Sequence, residues 1–265
     1  MSCMPSPFSL EPLEGVFQQM RSLEERTGRV LCSNAGEFKV GDQLYSVPRM
    51  RYCDGAADDP LRIGIFGSIH GDEPVGAYAL IEFFAELAQN EQDTCGYDLV
   101  GYPVCNPTGF AKKTRDNHDG KDLNREFWRG STQEEVRILE KEILARNFHG
   151  IISLHADDTS EGIYGFVQGA ALYHDLLRPA LKSAGAFLPV NGAAEIDGFT
   201  AFDGLIRDCY PGVLSTHPEL EIKPFELIFE TPGKEPLHRQ ITATKSFLYS
   251  VLRNYRSFIS YAQNL

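Results

Sequence analysis

His70 and Glu73 stand three residues apart just after an apolar run, and this spacing allows both side chains to reach one ion. His155 follows a second apolar run, residues 150–154, and offers one more nitrogen ligand. A catalytic zinc ion uses three nitrogen or oxygen ligands from the protein and keeps a fourth position open for water. This pattern of ligands therefore predicts one zinc ion (Zn2+) per chain, bound by His70, Glu73 and His155.

Four further side chains can supply the rest of the chemistry of amide hydrolysis. Glu230 follows the apolar run 225–229 and can take a proton from water and return it to a leaving amine. Arg115 can stabilise the oxyanion that forms when a carbonyl becomes tetrahedral. Asn124 and Arg125 can hold a substrate carboxylate, because a guanidinium donates two parallel hydrogen bonds to it.

The order and spacing of these residues resemble the zinc carboxypeptidase superfamily, which includes the succinylglutamate desuccinylase and aspartoacylase deacylases. Its elements here are H-x-x-E at 70–73, R-x-N-x-x-G-x-D-L-N-R at 115–125, a histidine at 155 and a glutamate at 230. The D-L-N-R element is the most specific of them. The resemblance implies zinc ligands at His70, Glu73 and His155, a carbonyl polariser at Arg115, a carboxylate clamp at Asn124 and Arg125, and a general base and acid at Glu230.

Carboxypeptidases also have a mobile tyrosine near the bound carboxylate, shortly before the catalytic glutamate. Tyr210, in the loop 207–212, is the favoured substrate-binding candidate for this role, and Tyr164 is the other. Asp157 and Asp158 are expected to be loop acids, and either one is a candidate partner for a ligand histidine.

Composition narrows the function classes. The net charge is −12, from 25 lysines and arginines against 37 aspartates and glutamates, so phosphate backbones and anionic membranes should repel the protein. The N-terminus shows neither the basic nor the apolar segment of a secretory signal, and no run approaches the roughly 18 apolar residues of a membrane span. The six cysteines form no C-x-x-C pair, which is typical of reduced thiols. We expect a cytoplasmic protein without nucleic-acid or membrane partners.

Apolar runs alternate with helical patterns along the chain. The predicted strands are residues 61–69, 97–104, 150–154 and 225–229. The predicted helices are residues 73–89, a segment that starts at Ser131 with a capping box to Glu134, and residues 172–183 and 237–261. Residues 106–109 are expected to form a turn, and residues 27–58 to form short strands or hairpins at one edge.

Strands that alternate with helices predict an α/β fold. We expect one domain over residues 1–265, built as three layers (α/β/α) around a mixed, mostly parallel central sheet. The resemblance specifies this fold as zinc-carboxypeptidase-like, of the phosphorylase/hydrolase type.

The leading hypothesis is a zinc metallocarboxypeptidase that cleaves the C-terminal amide of a small peptide with a free carboxylate. The alternative is a zinc deacylase of N-acyl amino acids, similar to succinylglutamate desuccinylase and aspartoacylase. Those deacylases have a β-rich region after the catalytic glutamate, whereas 35 residues follow Glu230 here and most are helical in pattern. The sequence F-E-T-P around Glu230 also favours the peptidase. A third hypothesis, a binding module without activity, conflicts with the full set of competent residues.

Overall fold

The computed structural model describes residues 11–53, 58–89, 96–220 and 223–262. Ten strands in these residues form one sheet. They are β1 (Val30–Val40), β2 (Gln43–Cys53), β3 (Leu61–Gly67), β4 (Tyr97–Tyr102), β5 (Gly150–Asp157), β6 (Tyr164–Val167), β7 (Glu195–Ile196), β8 (Phe199–Phe202), β9 (Leu205–Ile206) and β10 (Phe225–Pro232). The helices are α1 (Glu11–Thr27), α2 (Val75–Leu87), α3 (Pro107–Lys112), α4 (Glu134–Arg146), α5 (Ala170–Leu172), α6 (Arg178–Ala184) and α7 (Leu237–Ala262). A π-helical turn (Tyr173–Leu177) joins α5 to α6, and a 3-10 turn covers Leu123–Arg125.

The sheet has the order β1-β2-β4-β3-β5-β10-β6-β9-β8-β7. Its centre, β4-β3-β5-β10, is parallel. The β1–β2 hairpin adds to one margin in antiparallel fashion, and β6 pairs antiparallel with β10 on the other side. The predicted α/β fold with a mixed sheet is confirmed. The parallel part is narrower than predicted, because both margins of the sheet are built largely from hairpins.

Helices cover both faces of this sheet. At the position of Gly101, on β4, an added Cβ would lie 3.0 Å from the ring of Phe84, so this face of β4 packs against α2. The next residue, Tyr102, points to the opposite face, where its hydroxyl donates to Glu142 of α4. Because side chains alternate along a strand, neighbouring residues of β4 contact helices on opposite sides.

Three local predictions need correction. Residues 106–109 are not a simple turn: they begin α3, because the Asn106 side chain accepts from the Gly109 N–H and Pro107 occupies the first turn. The capping box at Ser131 does not form, and α4 begins at Glu134. Ser131 instead donates to Glu126 and accepts from Gln133 N–H.

The third correction concerns strand lengths. Strands β5 and β10 both extend beyond their predicted ends, so that His155 and Glu230 lie within the strands and pair with each other in register. Sequence patterns also failed to indicate α1 and the short strands β6 to β9. The hairpin region predicted over residues 27–58 contains two 11-residue strands, β1 and β2, which are longer than expected, and residues 54–57 lie outside the described residues.

Phe229 anchors the parallel centre of the sheet against α7. It is fully buried, and its ring stacks on Phe247 with the centroids 4.2 Å apart. We expect Phe229→Ala to lower the free energy of unfolding by about 3–5 kcal/mol, because it leaves a large cavity. Chemical denaturation would measure this. Phe202→Ala, at a side chain 61% exposed, should change it by less than about 0.5 kcal/mol; equal losses would contradict the assignment.

Across the described residues, the helices lack the combination of length and apolar character that crossing a membrane requires. Cys32, Cys53, Cys105 and Cys209 are free thiols in this structure.

Candidate active site

Three side chains converge between the ends of β3 and β5. His70 Nδ1 lies 2.6 Å from one carboxylate oxygen of Glu73, and His155 Nδ1 lies 3.0 Å from the other. One ligand atom from each residue lies within 4.8 Å of the others, and all three residues are buried. Two imidazole nitrogens and a carboxylate oxygen are ligands that zinc prefers. The residues therefore fit a zinc ion.

The second nitrogen of each imidazole has its own partner. His70 Nε2 lies 3.2 Å from Asp122 Oδ1, and His155 Nε2 lies 3.0 Å from Ser153 Oγ. These contacts turn both Nδ1 atoms toward Glu73. Outer partners of this kind set the orientation and tautomer of metal-binding histidines. The predicted partners for a ligand histidine, Asp157 and Asp158, do not have this role: Asp157 accepts hydrogen bonds from Thr159 and Tyr164.

The turn between β3 and α2 is tight enough to hold His70 and Glu73 together. At Gly67 an added Cβ would lie 2.7 Å from the backbone of Gly76, so only glycine permits this approach of strand and helix. Ser68 has a φ of 49°, and its hydroxyl donates to the Glu73 carbonyl. This bond closes the turn around the two ligand side chains.

The charges of the cluster support one another. Burial by itself would raise the pKa of Glu73, but the nearby charge and hydrogen bonds of His155 and His70 lower it to about 2. Burial would lower the pKa of His70, and the hydrogen bonds from its ring to Asp122 and Glu73 outweigh this and raise it to about 9. Glu73 therefore stays ionised, as a metal ligand must be.

Arg115 stands beside this cluster on the loop that follows α3. Its Nη2 donates to Asp122 Oδ2 at 3.0 Å, and its Nη1 lies 3.6 Å from Glu73 Oε1. Nearly half of its side chain remains exposed. The guanidinium is thus held at the edge of the His–Glu–His cluster, where it can reach a carbonyl oxygen of a substrate.

Asn124 and Arg125 lie in the 3-10 turn that follows Asp122. Asn124 Oδ1 accepts from the Leu214 N–H at 2.8 Å, which leaves the amide nitrogen for a substrate. The guanidinium of Arg125 donates to the Asn124 carbonyl and lies 4.4 Å from the centroid of the Tyr210 ring. Within the described ranges no carboxylate forms an ion pair with Arg125, so its charge is available to an anion.

Glu230 lies next to His155 in the parallel pair and opposite Tyr164 in the antiparallel pair. Burial raises the pKa of Glu230 well above its usual value, and the charges of Glu73 and Asp157 raise it further. A carboxyl group with a raised pKa is suited to both accept and donate a proton near neutral pH.

The two tyrosine candidates differ in their surroundings. Tyr210 is partly exposed, and its hydroxyl donates to the Asp197 carbonyl at 2.5 Å. Tyr164 is buried beside Glu230, and its hydroxyl donates to Asp157 at 2.9 Å. Tyr210 contacts Arg125, whereas Tyr164 faces Glu230, so each phenol borders a different part of the same site.

One cavity of about 650 Å³ brings these groups together. All eight residues predicted for the site line it: His70, Glu73, Arg115, Asn124, Arg125, His155, Tyr210 and Glu230. Sequence reasoning assigned no site role to Asp122 or Ser153. Ser153 could have been found from its place two residues before His155, on the same face of β5. Asp122 could have been found because it is the first residue of the D-L-N-R element.

One family model and several solved structures are similar to this chain. Residues 60–188 match the family model of the succinylglutamate desuccinylase/aspartoacylase catalytic domain. The fold is similar to that of a Shewanella amazonensis SB2B protein provisionally named a metallopeptidase, with a TM-score of 0.78 and 21% identity over 95% of this chain and 97% of that chain. A comparison with curated protein sequences gives no match.

Two carboxypeptidases are also similar in fold. The metallo-carboxypeptidase from Burkholderia cenocepacia has a TM-score of 0.69 and 16% identity over 92% of this chain and 69% of that chain. Carboxypeptidase A from Helicoverpa armigera has a TM-score of 0.71 and 13% identity over 97% of this chain and 76% of that chain. These similarities support the superfamily predicted from the motifs, related to the zinc carboxypeptidases. Together with the His–Glu–His cluster, the family match and the fold point to a hydrolase of the zinc-dependent class.

Proposed function

We propose that this protein is a zinc-dependent carboxypeptidase that releases the C-terminal residue of a small peptide with a free carboxylate. The observation that carries the proposal is the guanidinium of Arg125, which pairs with no carboxylate of the described residues and lies in the cavity that also holds Glu230 and the metal cluster. An anionic substrate end bound at Arg125 would present its adjacent amide to Glu230. The site would thus consist of a carboxylate clamp beside a hydrolytic centre.

His70, Glu73 and His155 would hold the zinc ion. When bound, it would act as a Lewis acid that polarises the substrate carbonyl and makes water more acidic.

Four side chains of the protein would bind the substrate, stabilise the oxyanion and transfer the proton. Arg125 and Asn124 bind the terminal carboxylate and fix the position of the scissile amide. Arg115 donates to the carbonyl oxygen as negative charge develops on it. Glu230 takes a proton from the attacking water on a carboxylate oxygen and delivers it to the nitrogen of the leaving amine.

A mass-spectrometric turnover assay of the zinc-loaded protein tests the proposal. The substrate is one mixture of free-carboxylate peptides, γ-linked cell-wall peptides and N-acyl amino acids. Loss of single C-terminal residues supports the carboxypeptidase. Hydrolysis confined to the acyl amino acids contradicts it in favour of the deacylase, and no turnover of any substrate favours the binding module.

The deacylase is the second candidate because the matching family model describes deacylases. Against it stands α7, the 26-residue helix that follows Glu230 closely. The deacylases that this chain resembles have a β-rich region at that place. A helix at that place supports the peptidase.

Arg125→Ala is expected to raise the KM for free-carboxylate peptides by about 10- to 150-fold, because a charged hydrogen bond is lost. Arg125→Lys should restore only part of the binding, since an ammonium cannot donate the two parallel bonds. Steady-state kinetics would measure both, with the exposed Arg137→Ala as the matched control. An unchanged KM for the alanine variant would remove Arg125 from the clamp.

A further inference from the structure

Strand β10 presents a row of three side chains to the cavity side of the sheet. Glu226, Ile228 and Glu230 alternate with the fully buried residues of the strand and keep partial exposure. Successive members of the row are separated by about 6.7 Å, so Glu226 lies about 13 Å from Glu230 along the strand. One strand therefore sets both the position of the proton-transfer group and that of a second carboxylate.

A narrow pocket opens from the main cavity along this row. Four residues line both the cavity and the pocket: Phe166, Cys209, Val213 and Ile228. Three of them supply apolar walls. Glu226 lines the pocket and does not line the main cavity. Most of the pocket wall beyond Ile228 is apolar, and Gln168, Asp208 and Glu226 supply its polar and acidic part.

Glu226 has one hydrogen-bond partner among the described residues, the Thr216 N–H, at 2.6 Å. Over the same ranges no lysine, arginine or histidine forms an ion pair with it, and Lys223 acts on it only as a more distant charge. Burial raises the pKa of Glu226 above its usual value. A cation that enters beside a partly buried carboxylate of this kind stabilises its charged form strongly.

The size of the pocket restricts that cation. Its volume is about 20 Å³, and about 10–15 Å³ is enough for one water molecule. An ammonium group is as compact as water, whereas a guanidinium is planar and much wider. The four-carbon stem of lysine can lie along the apolar walls while its ammonium is beside Glu226.

We infer that Glu226 is a specificity-determining residue that binds the side-chain ammonium of a C-terminal lysine, or of a similar primary amine, in the released residue. The inference rests on the proposed carboxypeptidase function and names its substrate class. It also separates the two candidate functions chemically, because the N-acyl acidic amino acids cleaved by the related deacylases bring no cation to this pocket.

The test uses N-blocked dipeptides that differ only in the C-terminal residue: lysine, norleucine or arginine. Norleucine has the same carbon stem as lysine without the charge. With the zinc-loaded protein we expect kcat/KM for lysine to exceed that for norleucine and arginine by at least about tenfold. Glu226→Gln keeps an acceptor for the Thr216 N–H, and it should bring the lysine-to-norleucine ratio close to one. Glu219→Gln, at a nearby exposed acid, should keep the wild-type ratio.

A second measurement does not depend on turnover. Calorimetric titration of the same proteins with free L-lysine and L-norleucine should show tighter binding of lysine, and Glu226→Gln should weaken it about tenfold.

Equal kcat/KM for the lysine and norleucine dipeptides, unchanged by Glu226→Gln, would overturn the inference and leave the carboxypeptidase intact. If no dipeptide is cleaved, the proposed function fails, and the titration alone decides: Glu226-dependent lysine binding supports the pocket, and its absence overturns it.

Discussion

Glu230→Gln is expected to lower kcat by about 10²- to 10⁴-fold, the usual contribution of a general acid–base group. The amide of glutamine keeps the shape of the side chain but cannot take a proton from water. Glu230 is not among the three residues of the metal cluster, so the variant should bind as much zinc as the wild type. Turnover of a free-carboxylate peptide and metal content by elemental mass spectrometry measure the two effects on one sample.

Glu161→Gln is the matched control, because it makes the same change at an exposed acid outside the cavity lining. Its kcat should equal that of the wild type. Wild-type turnover by zinc-loaded Glu230→Gln would exclude Glu230 from proton transfer. A loss of zinc together with the loss of kcat would instead assign Glu230 to the metal site.

His155→Ala should remove both zinc and activity. The substitution leaves two of the three ligands, and Glu73 loses one of the two imidazoles that keep its pKa low. Metal affinity should fall by more than the roughly 10- to 100-fold caused by loss of an outer partner, and turnover should fall to the background. Metal content after dialysis, followed by titration with added zinc, measures the change.

His174→Ala serves as the control for this variant, since His174 is exposed on the π-helical turn far from the cluster in sequence. Its zinc content should stay at one ion per chain. A His155→Ala protein that retains stoichiometric zinc after dialysis would show that the ion binds elsewhere. The His70–Glu73 pair alone would then not define the metal centre.

Local patterns were sufficient to predict the parts of this protein that depend on short segments. The apolar runs indicated the four central strands. The motifs predicted one site that contains His70, Glu73, Arg115, Asn124 and Arg125. Apolar periodicity reports burial within one strand or helix, and the H-x-x-E and D-L-N-R spacings fix side chains within a single turn. Such signals need no knowledge of the partner segment.

Local patterns failed where a distant segment decides the conformation. The segment at residues 106–109 became a helix because Asn106 caps it and because it packs against the turn at Gly71, where an added Cβ would lie 2.0 Å from Gly109. Strands β5 and β10 extend to include His155 and Glu230 because each provides the hydrogen-bonding edge for the other. Strand length in a parallel sheet is a property of the pair.

The sequence by itself determined which groups could do chemistry: two imidazoles, their carboxylate, a clamp and a proton acceptor. Only the tertiary structure decided what surrounds them. It assigned Asp122 to His70 and Arg115, and it left Arg125 without an acid among the described residues. It also placed Glu226 in a pocket whose other walls come from β5, β6 and the loop 207–214. Partners and pocket walls come from residues distant in sequence, and their proximity follows from packing of the whole chain.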